Sequence, residues 1–158
     1  MVKRFAFRVL ASAALAGCIL SCASTAMLDL TGEEQGSMTL ATATPLYFSV
    51  PRDRARETWD RAQTFVDRYS SMKLRSSTDS MVQSYDPPPT PQPPGMEVSA
   101  PIRFGYSVSR MAIADSIRLD VKCVTNRQLA EKDADTNAHI AAYFILTGRI
   151  ACARCIVR

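Results

Sequence analysis

The sequence predicts an α+β domain in which an antiparallel sheet of about four to five strands has two helices packed on one face. Three observations predict this class. Residues 102–110 and residues 116–124 alternate apolar and polar side chains, as half-buried strands do. Residues 51–70 place apolar side chains along one helix face. Most of the expected strands follow one another without a helix between them, which favours antiparallel pairing with the helices on one face.

The domain is expected to begin at Pro45 with a strand and then a helix. The segment "PLYFSV", residues 45–50, has the length and the apolar content of a strand. Pro51 suits an early helical position, and the helix is expected to reach residue 70. Its apolar face comprises Ala55, Trp59, Ala62, Val66 and Tyr69. We expect Trp59 to anchor the core, and ligand stacking is its alternative role.

Four strands are expected next. Residues 72–77 and 80–85 form a short pair around a turn near Thr78. The two alternating segments form a longer pair, joined by a turn near Ala114. The apolar faces of the longer pair hold Ile102, Phe104, Tyr106 and Val108 in one strand and Ile117, Leu119, Val121 and Cys123 in the other.

A last helix is expected over residues 133–147. One side of this helix is lined by Ala134, Ala138, Ala141 and Ile145, whose mostly small side chains allow close approach to a sheet. Gly148 stands where a left-handed cap ends a helix. Residues 149–158 are expected to form an edge strand or an ordered tail.

A proline-rich loop is expected over residues 86–95, "DPPPTPQPPG". This segment holds six of the nine prolines of the chain, and proline cannot donate to a sheet ladder. Because such a run favours polyproline II, we expect it to project as a stiff, exposed connection. Its "PQPP" also fits the PxxP pattern of peptide ligands.

The first 17 residues have the layout of a secretory signal. Lys3, Arg4 and Arg8 precede any acidic residue, and an apolar run rich in small residues begins at Val9. Up to Gly17 this run is about half of the ~20 residues that cross a bilayer, so cleavage is favoured over a stable span. Loss of the signal leaves sixteen basic against fifteen acidic residues, which gives no indication of nucleic-acid binding.

Leu15, Ala16, Gly17 and Cys18 follow the apolar run, and this tetrad is similar to the lipobox of bacterial lipoproteins. The resemblance implies that signal peptidase II recognises the first three residues and cuts before Cys18. It also implies diacylglycerol on the Cys18 thiol and an acyl chain such as palmitate on the new amine. Two or three chains, at ~0.8 kcal/mol per buried CH₂, anchor a protein stably. Ile19 follows Cys18 where Asp would favour the inner membrane, so the resemblance implies the outer membrane, facing the periplasm.

Two other arrangements of this region stay open. Cleavage after Ala26 would release a soluble protein, and residues 9–26 left uncut would serve as an anchor. In the favoured arrangement, residues 18–44 are the lipidated N-terminus and a flexible tether, because residues 19–44 show neither helical nor strand periodicity. Residues 45–158 are then a single domain.

The mature domain resembles the small helix-grip α+β modules of envelope lipoproteins, including those accessory to outer-membrane protein assembly. The resemblance depends on the order of the elements and on a helix that contains Trp59 and the "AQ" of Ala62 and Gln63, followed by two short strands. It implies a fold, and it identifies neither a partner nor an activity.

The candidates for a disulfide are Cys123, Cys152 and Cys155. Cys123 could pair with either of the others, or "CARC" could close on itself, and the remaining cysteine would stay free or meet Cys22. A C-x-x-C redox site needs a helix after it to lower the thiol pKa, and only three residues follow this motif in the sequence. A zinc site from these cysteines and His139 would need a fortuitous convergence. No metal and no cofactor is therefore predicted.

No catalytic motif is recognisable, so the sequence predicts a non-enzymatic protein. The first hypothesis is an envelope lipoprotein that binds another envelope protein through its sheet face, sheet edge or proline loop. The alternative is a module that grips a small apolar ligand between helices and sheet. The ligand would then contact Trp59, Phe104, Tyr106 and Phe144. An enclosed cavity would favour the ligand, and a filled core with an exposed patch would favour the protein partner.

Overall fold

The computed structural model describes residues 29–90 and 101–156. The helices are α1 (Gly32–Ala43), α2 (Ala55–Tyr69) and α3 (Glu131–Thr147), and the strands are β1 (Tyr47–Pro51), β2 (Leu74–Ser77), β3 (Met81–Ser84), β4 (Phe104–Ile113) and β5 (Ser116–Thr125). Within these ranges, five strands form one antiparallel sheet in the order β1-β5-β4-β3-β2. The predicted α+β class is confirmed.

Helices α2 and α3 pack on one face of the sheet. Helix α2 contacts strands β1 to β4, while α3 contacts β5 and also α2. The largest buried apolar side chains come from both layers and include Phe65, Val66, Phe104, Tyr106, Leu119 and Ile140. Trp59 is buried, and the guanidinium of Arg110 lies 4.6 Å from its ring centre. Its predicted place in the core is confirmed.

The expected strands all form, and their ends shift by a few residues. The last helix begins at Glu131, two residues before the expected start, after a single 3-10 turn at Gln128–Ala130. Gly148 ends it with φ +74°, and its N–H donates to the carbonyl of Phe144 at 2.7 Å. The predicted left-handed cap is therefore confirmed.

The expectation of a flexible tether is wrong for its second half, where α1 forms. The Thr31 hydroxyl accepts from the Glu34 N–H at 3.2 Å, and the Glu34 carboxylate accepts from the Thr31 N–H at 2.9 Å. This reciprocal capping box satisfies two of the unpaired donors at the helix start. The helix packs on α3 and buries Ala41 completely. Capping and tertiary contact thus stabilise a helix that has little amphipathic periodicity. The lipidated stretch before residue 29 lies outside the described residues.

The first half of the proline-rich loop packs against the sheet instead of projecting. Pro87 is buried beside Gly105, where an added Cβ would lie 2.8 Å from the carbonyl oxygen of Tyr85. Farther along, the Asn126 amide donates to the Thr90 hydroxyl at 2.8 Å. Gly105 is therefore needed for a close approach of the loop. Residues 91–95 lie outside the described part of the chain.

The C-terminal segment forms an ordered tail. A 3-10 turn spans Ala153–Cys155, and the side chains of Ala151, Cys152 and Ile156 are buried. Up to residue 156 it adds no strand to the sheet, so the edge-strand alternative is wrong for this part.

Candidate functional site

A groove of about 530 Å³ lies between the C-terminal half of β5 and the N-terminal half of α3. Its main lining residues are Leu46, Val121, Cys123, Arg127, Ala134 and Ala138. Its lining is mostly apolar, its volume falls in the range of ligand sites, and one side is open to solvent. We refer to it as the β5–α3 groove.

The groove exists because β1 is shorter than β5. Strand β1 pairs with β5 only from Ser116 to Asp120, followed by one more bond from the Val121 N–H to the Leu46 carbonyl at 2.9 Å. The next main-chain groups on this side would be those of Thr44, but its N–H donates to the Ala41 carbonyl at 2.9 Å as the cap of α1. Nδ1 of His139 donates a hydrogen bond to the Thr44 carbonyl at 2.7 Å. The chain therefore leaves the sheet toward α3, and the edge of β5 beyond this point is not covered by β1.

Two alanines on α3 line the inner side of the groove. Ala134 and Ala138 are one helical turn apart and are 5% and 2% exposed. These small residues allow the close approach of helix and sheet that the sequence predicts. The open volume is bordered instead by the exposed lining residues, which include Val124, Gln128 and Glu131.

The thiol of Cys123 lies at the floor of the groove and is unpaired in the described part of the chain. Burial raises its pKa to about 12, and a hydrogen bond with the Tyr106 side chain offsets this only in part. The thiol is therefore neutral at physiological pH, and a neutral thiol is a poor nucleophile. Its position indicates packing rather than catalysis.

The rim of the groove carries charges of both signs. Lys122 lies on the strand side and pairs with Asp120 at 3.2 Å. Glu131 and Asp135 project from successive turns of α3, and the Asp135 side chain is 65% exposed. With Arg127, the charged lining residues therefore comprise two cations and two carboxylates.

The part of the helix–sheet interface next to the groove, on the side of α2, is filled. Phe65 contacts the ring of Tyr106 edge-on at 5.3 Å between centroids, and it contacts Phe144 at 5.6 Å. Phe104 and Tyr106 are buried, as is Trp59. The aromatic residues expected to surround a ligand therefore pack with the core, and the open volume lies elsewhere.

A second cluster joins α1 to the C-terminal tail. Cys152 and Cys155 form a disulfide. Of the pairings that the sequence leaves open, the structure therefore contains the one within "CARC". Arg154, between them, donates from Nη2 to Glu34 at 2.6 Å and to the Asp29 carbonyl at 2.7 Å. The disulfide turn thus presents the guanidinium that holds the start of α1.

The hydrogen bond from Arg154 holds the pKa of Glu34 down to about 2, against an ordinary value of 4.5. The N–H of Thr31 acts in the same direction. The carboxylate therefore remains charged over the whole physiological range, and it serves both the helix cap and the arginine.

The remaining site predictions fall outside these clusters. Leu15, Ala16, Gly17 and Cys18 precede the described residues, as does Cys22. Among residues 29–90 and 101–156, no group of three His, Cys, Asp or Glu side chains is arranged to hold a metal. His139 acts structurally, through the Thr44 carbonyl.

Sequence reasoning missed the groove and the Glu34–Arg154 pair. The only local signal for the pair was "TGEE", in which Thr31 and Glu34 have the spacing of a capping box. The groove depends on the register between β1 and β5, which only the fold reveals.

In the part of the chain that the structure describes, no helix is both long and apolar enough to cross a bilayer. Comparison with known proteins found no matching family model, no matching curated protein and no matching solved structure.

Proposed function

We propose that this protein is a membrane-anchored lipoprotein of the bacterial cell envelope with a non-enzymatic, protein-binding role. Cys18 carries the lipid, and the folded domain faces the periplasm from the outer membrane. The observation that carries the proposal is the sequence from Leu15 to Cys18, placed directly after a basic start and a short apolar run.

The shape of the domain supports a protein partner over an enclosed ligand. The aromatic part of the core is filled, while the β5–α3 groove is open along one side and lies beside an uncovered strand edge. An open apolar groove next to a strand edge suits an extended polypeptide, which needs access along its length.

The chemistry of the reactive side chains supports a non-enzymatic role. The pKa of Cys123 is raised to about 12 by burial, Cys152 and Cys155 are joined, and His139 is engaged with a backbone carbonyl. A general base or nucleophile needs a pKa near the working pH and access to substrate. The Cys123 thiol stays protonated, the sulfurs of Cys152 and Cys155 are bonded to each other, and Nδ1 of His139 is occupied by the Thr44 carbonyl.

The test of anchoring is intact-mass spectrometry of the native protein from a membrane fraction, compared with Cys18→Ser and with Cys22→Ser as the matched control. We expect the wild type and Cys22→Ser to begin at residue 18 with a diacylglycerol and acyl mass increment, and Cys18→Ser to lack it. A wild-type chain that keeps its first residue, or that begins unmodified beyond residue 18, contradicts the proposal.

The test of partner binding is crosslinking in intact cells followed by purification of the wild type and of Cys18→Ser. We expect a specific envelope protein to crosslink to the anchored form and to be reduced with the unanchored one. Purification without any crosslinked polypeptide contradicts the protein-binding role.

A small apolar ligand is the second candidate, because the β5–α3 groove has the volume and the apolar lining of a ligand site. Native mass spectrometry distinguishes the two. A bound molecule of a few hundred daltons that disappears with Ala134→Leu would favour the ligand over the protein partner.

A further inference from the structure

The C-terminal tail holds the start of α1 through one side chain. Arg154 donates from Nε to one carboxylate oxygen of Glu34 at 3.1 Å and from Nη2 to the other at 2.6 Å. Nη2 also donates to the Asp29 carbonyl at 2.7 Å. A guanidinium that contacts both oxygens of a carboxylate forms one of the stronger hydrogen-bonded pairs in proteins. The start of α1 is therefore fastened to the tail at this point.

The two halves of α1 are attached in different ways. Of its twelve residues only Ala41, near the C-terminal end, is buried. Thr44, which follows the helix, accepts a hydrogen bond from Nδ1 of His139 at 2.7 Å. The C-terminal half is thus attached by burial and by this hydrogen bond, whereas the N-terminal half depends mainly on Arg154.

The position of Arg154 depends in turn on the disulfide. Arg154 lies between Cys152 and Cys155, whose Cα atoms are 5.2 Å apart. The turn has one further closure, the hydrogen bond from the Cys155 N–H to the Cys152 carbonyl at 3.2 Å. Ala153 and Arg154 are exposed, so packing does not replace the disulfide at the tip of the turn. Opening the disulfide gives the main chain at Arg154 more freedom, which raises the entropy cost of holding the guanidinium against α1.

A thiolate from solvent reaches this disulfide at one of its two sulfurs. Cys152 is 2% exposed, whereas Cys155 is partly exposed. In the first step, a thiolate of a dithiol bonds to the sulfur of Cys155, and Cys152 leaves as a thiolate and takes up a proton. In the second step, the other thiol of the reductant displaces Cys155. The dithiol is oxidised to its own disulfide, and two electrons and two protons reach the cysteines.

The reduced cysteines do not replace the lost constraint. Sγ of Cys152 lies 3.9 Å from Oε1 of Glu34, the oxygen that also accepts from Nε of Arg154. The thiol formed at this place is only a weak donor. Because it points to the same oxygen, it competes with the arginine instead of strengthening its hold.

We infer that the disulfide between Cys152 and Cys155 is a redox-controlled latch for the start of α1. With the disulfide closed, Arg154 holds Glu34 and Asp29. When a dithiol reduces it, the N-terminal half of α1 separates from the tail while the C-terminal half stays on α3. The inference goes beyond the proposed function and depends on neither the lipid nor the partner.

The test measures amide hydrogen exchange by NMR in the full-length protein in detergent micelles, before and after reduction with dithiothreitol. The informative amides are those of Glu34 and Gln35, which both donate to Thr31, and Thr44 is the reference at the other end of α1. Reduction should accelerate exchange at the first two amides about three- to tenfold, as for the loss of a partly exposed bidentate ion pair. Exchange at Thr44 should not change.

Three variants test the coupling. Arg154→Gln keeps the disulfide but removes the guanidinium, so exchange at the start of α1 should be fast with or without dithiothreitol. Arg149→Gln is the matched control, because Arg149 is exposed beside the same tail and forms no ion pair in the described ranges, and it should respond as the wild type does. The double variant with Cys152→Ser and Cys155→Ser should behave like the reduced wild type in both conditions. Circular dichroism confirms that each variant folds.

Four results would overturn the inference. A disulfide that dithiothreitol does not reduce in the folded protein, as judged by iodoacetamide labelling of Cys152 and Cys155, excludes a redox-controlled latch. Equal exchange at the start of α1 before and after reduction shows that Arg154 holds without the disulfide. Equal acceleration at Thr44 shows that the disulfide stabilises the whole helix. A response to dithiothreitol that persists in Arg154→Gln shows that the coupling does not pass through the arginine.

Discussion

Two regions of the same helix–sheet interface differ in how tightly their side chains pack. Under α2, the aromatic rings of Phe65, Tyr69 and Tyr106 interlock with Phe144, and Phe65 is fully buried. Under the first turns of α3, two alanines face a strand edge, and about 530 Å³ stays open. One region is packed as protein interiors are, and the other is not.

The difference teaches that side-chain size and strand length together decide where this domain is open. Large rings close the first region, whereas α3 presents Ala134 and Ala138 to the second. Because the pairing of β1 with β5 stops at Leu46, no neighbouring strand in the described residues covers the rest of this edge. We therefore expect stability to depend on the filled region and binding to depend on the open one.

The largest expected effect is in the filled region. Phe65→Ala removes a fully buried ring with three aromatic neighbours, and it should lower the free energy of unfolding by about 3–5 kcal/mol. Urea denaturation followed by tryptophan fluorescence measures it, with the exposed Leu129→Ala as the control. A decrease in the free energy of unfolding of less than about 1 kcal/mol for Phe65→Ala would show that the two regions do not differ in their contribution to stability.

A smaller effect is expected from the disulfide at the edge of the domain. Replacing Cys152 and Cys155 together by Ser opens a loop with a sequence separation of 3, for which chain entropy gives about 2 kcal/mol. A reductant should lower the urea midpoint of the wild type and leave that of the double variant unchanged. An equal response of both would show that the disulfide contributes nothing to stability.

A still smaller loss is expected at the exposed lining of the groove. Val124 lines the groove and is 44% exposed, so Val124→Ala should lower the free energy of unfolding by less than about 1 kcal/mol. Urea denaturation measures this loss. A destabilisation as large as that of Phe65→Ala would mean that the groove is closed in solution.

The smallest effect is local and depends on pH. The pKa of Glu34 is about 2 in the folded protein and 4.5 ordinarily, so its contribution to stability is complete above pH 4.5 and disappears as the pH falls toward 2. Amide exchange in α1 should therefore accelerate over this range, before the sheet responds. Glu34→Gln should remove the pH dependence, and the neighbouring Glu33→Gln should not. Identical profiles for the two variants would exclude Glu34 as the acid-sensitive group.

The sequence predicts the elements whose periodicity is strong. The alternation in β4 and β5 and the apolar face of α2 reflect burial on one side, which is a local property of the chain. Helix α1 could not be predicted from periodicity, because it is stabilised by the cap of Thr31 and Glu34 at its start and by contacts with α3. Long-range contacts of this kind leave no period in the sequence.

The groove could not be predicted from the sequence for a different reason. Ala134 and Ala138 indicate close packing when α3 is considered alone. They line an open volume only because β1 stops five residues short of the end of β5, and that offset comes from the register between strands far apart in sequence. His139 contributes to the offset by donating to the Thr44 carbonyl across a sequence separation of 95.

The contact between Arg154 and the Asp29 carbonyl sets the reach of the proposed anchor. From Cys18 to Asp29 there are eleven residue steps, so the linker cannot exceed about 40 Å, at up to 3.6 Å per residue. A linker continuing to Thr44 would have allowed roughly 90 Å. In the proposed anchored protein, the packing of α1 on α3 and its contact with Arg154 together more than halve the distance that the domain can travel from the bilayer, which favours partners close to the membrane surface.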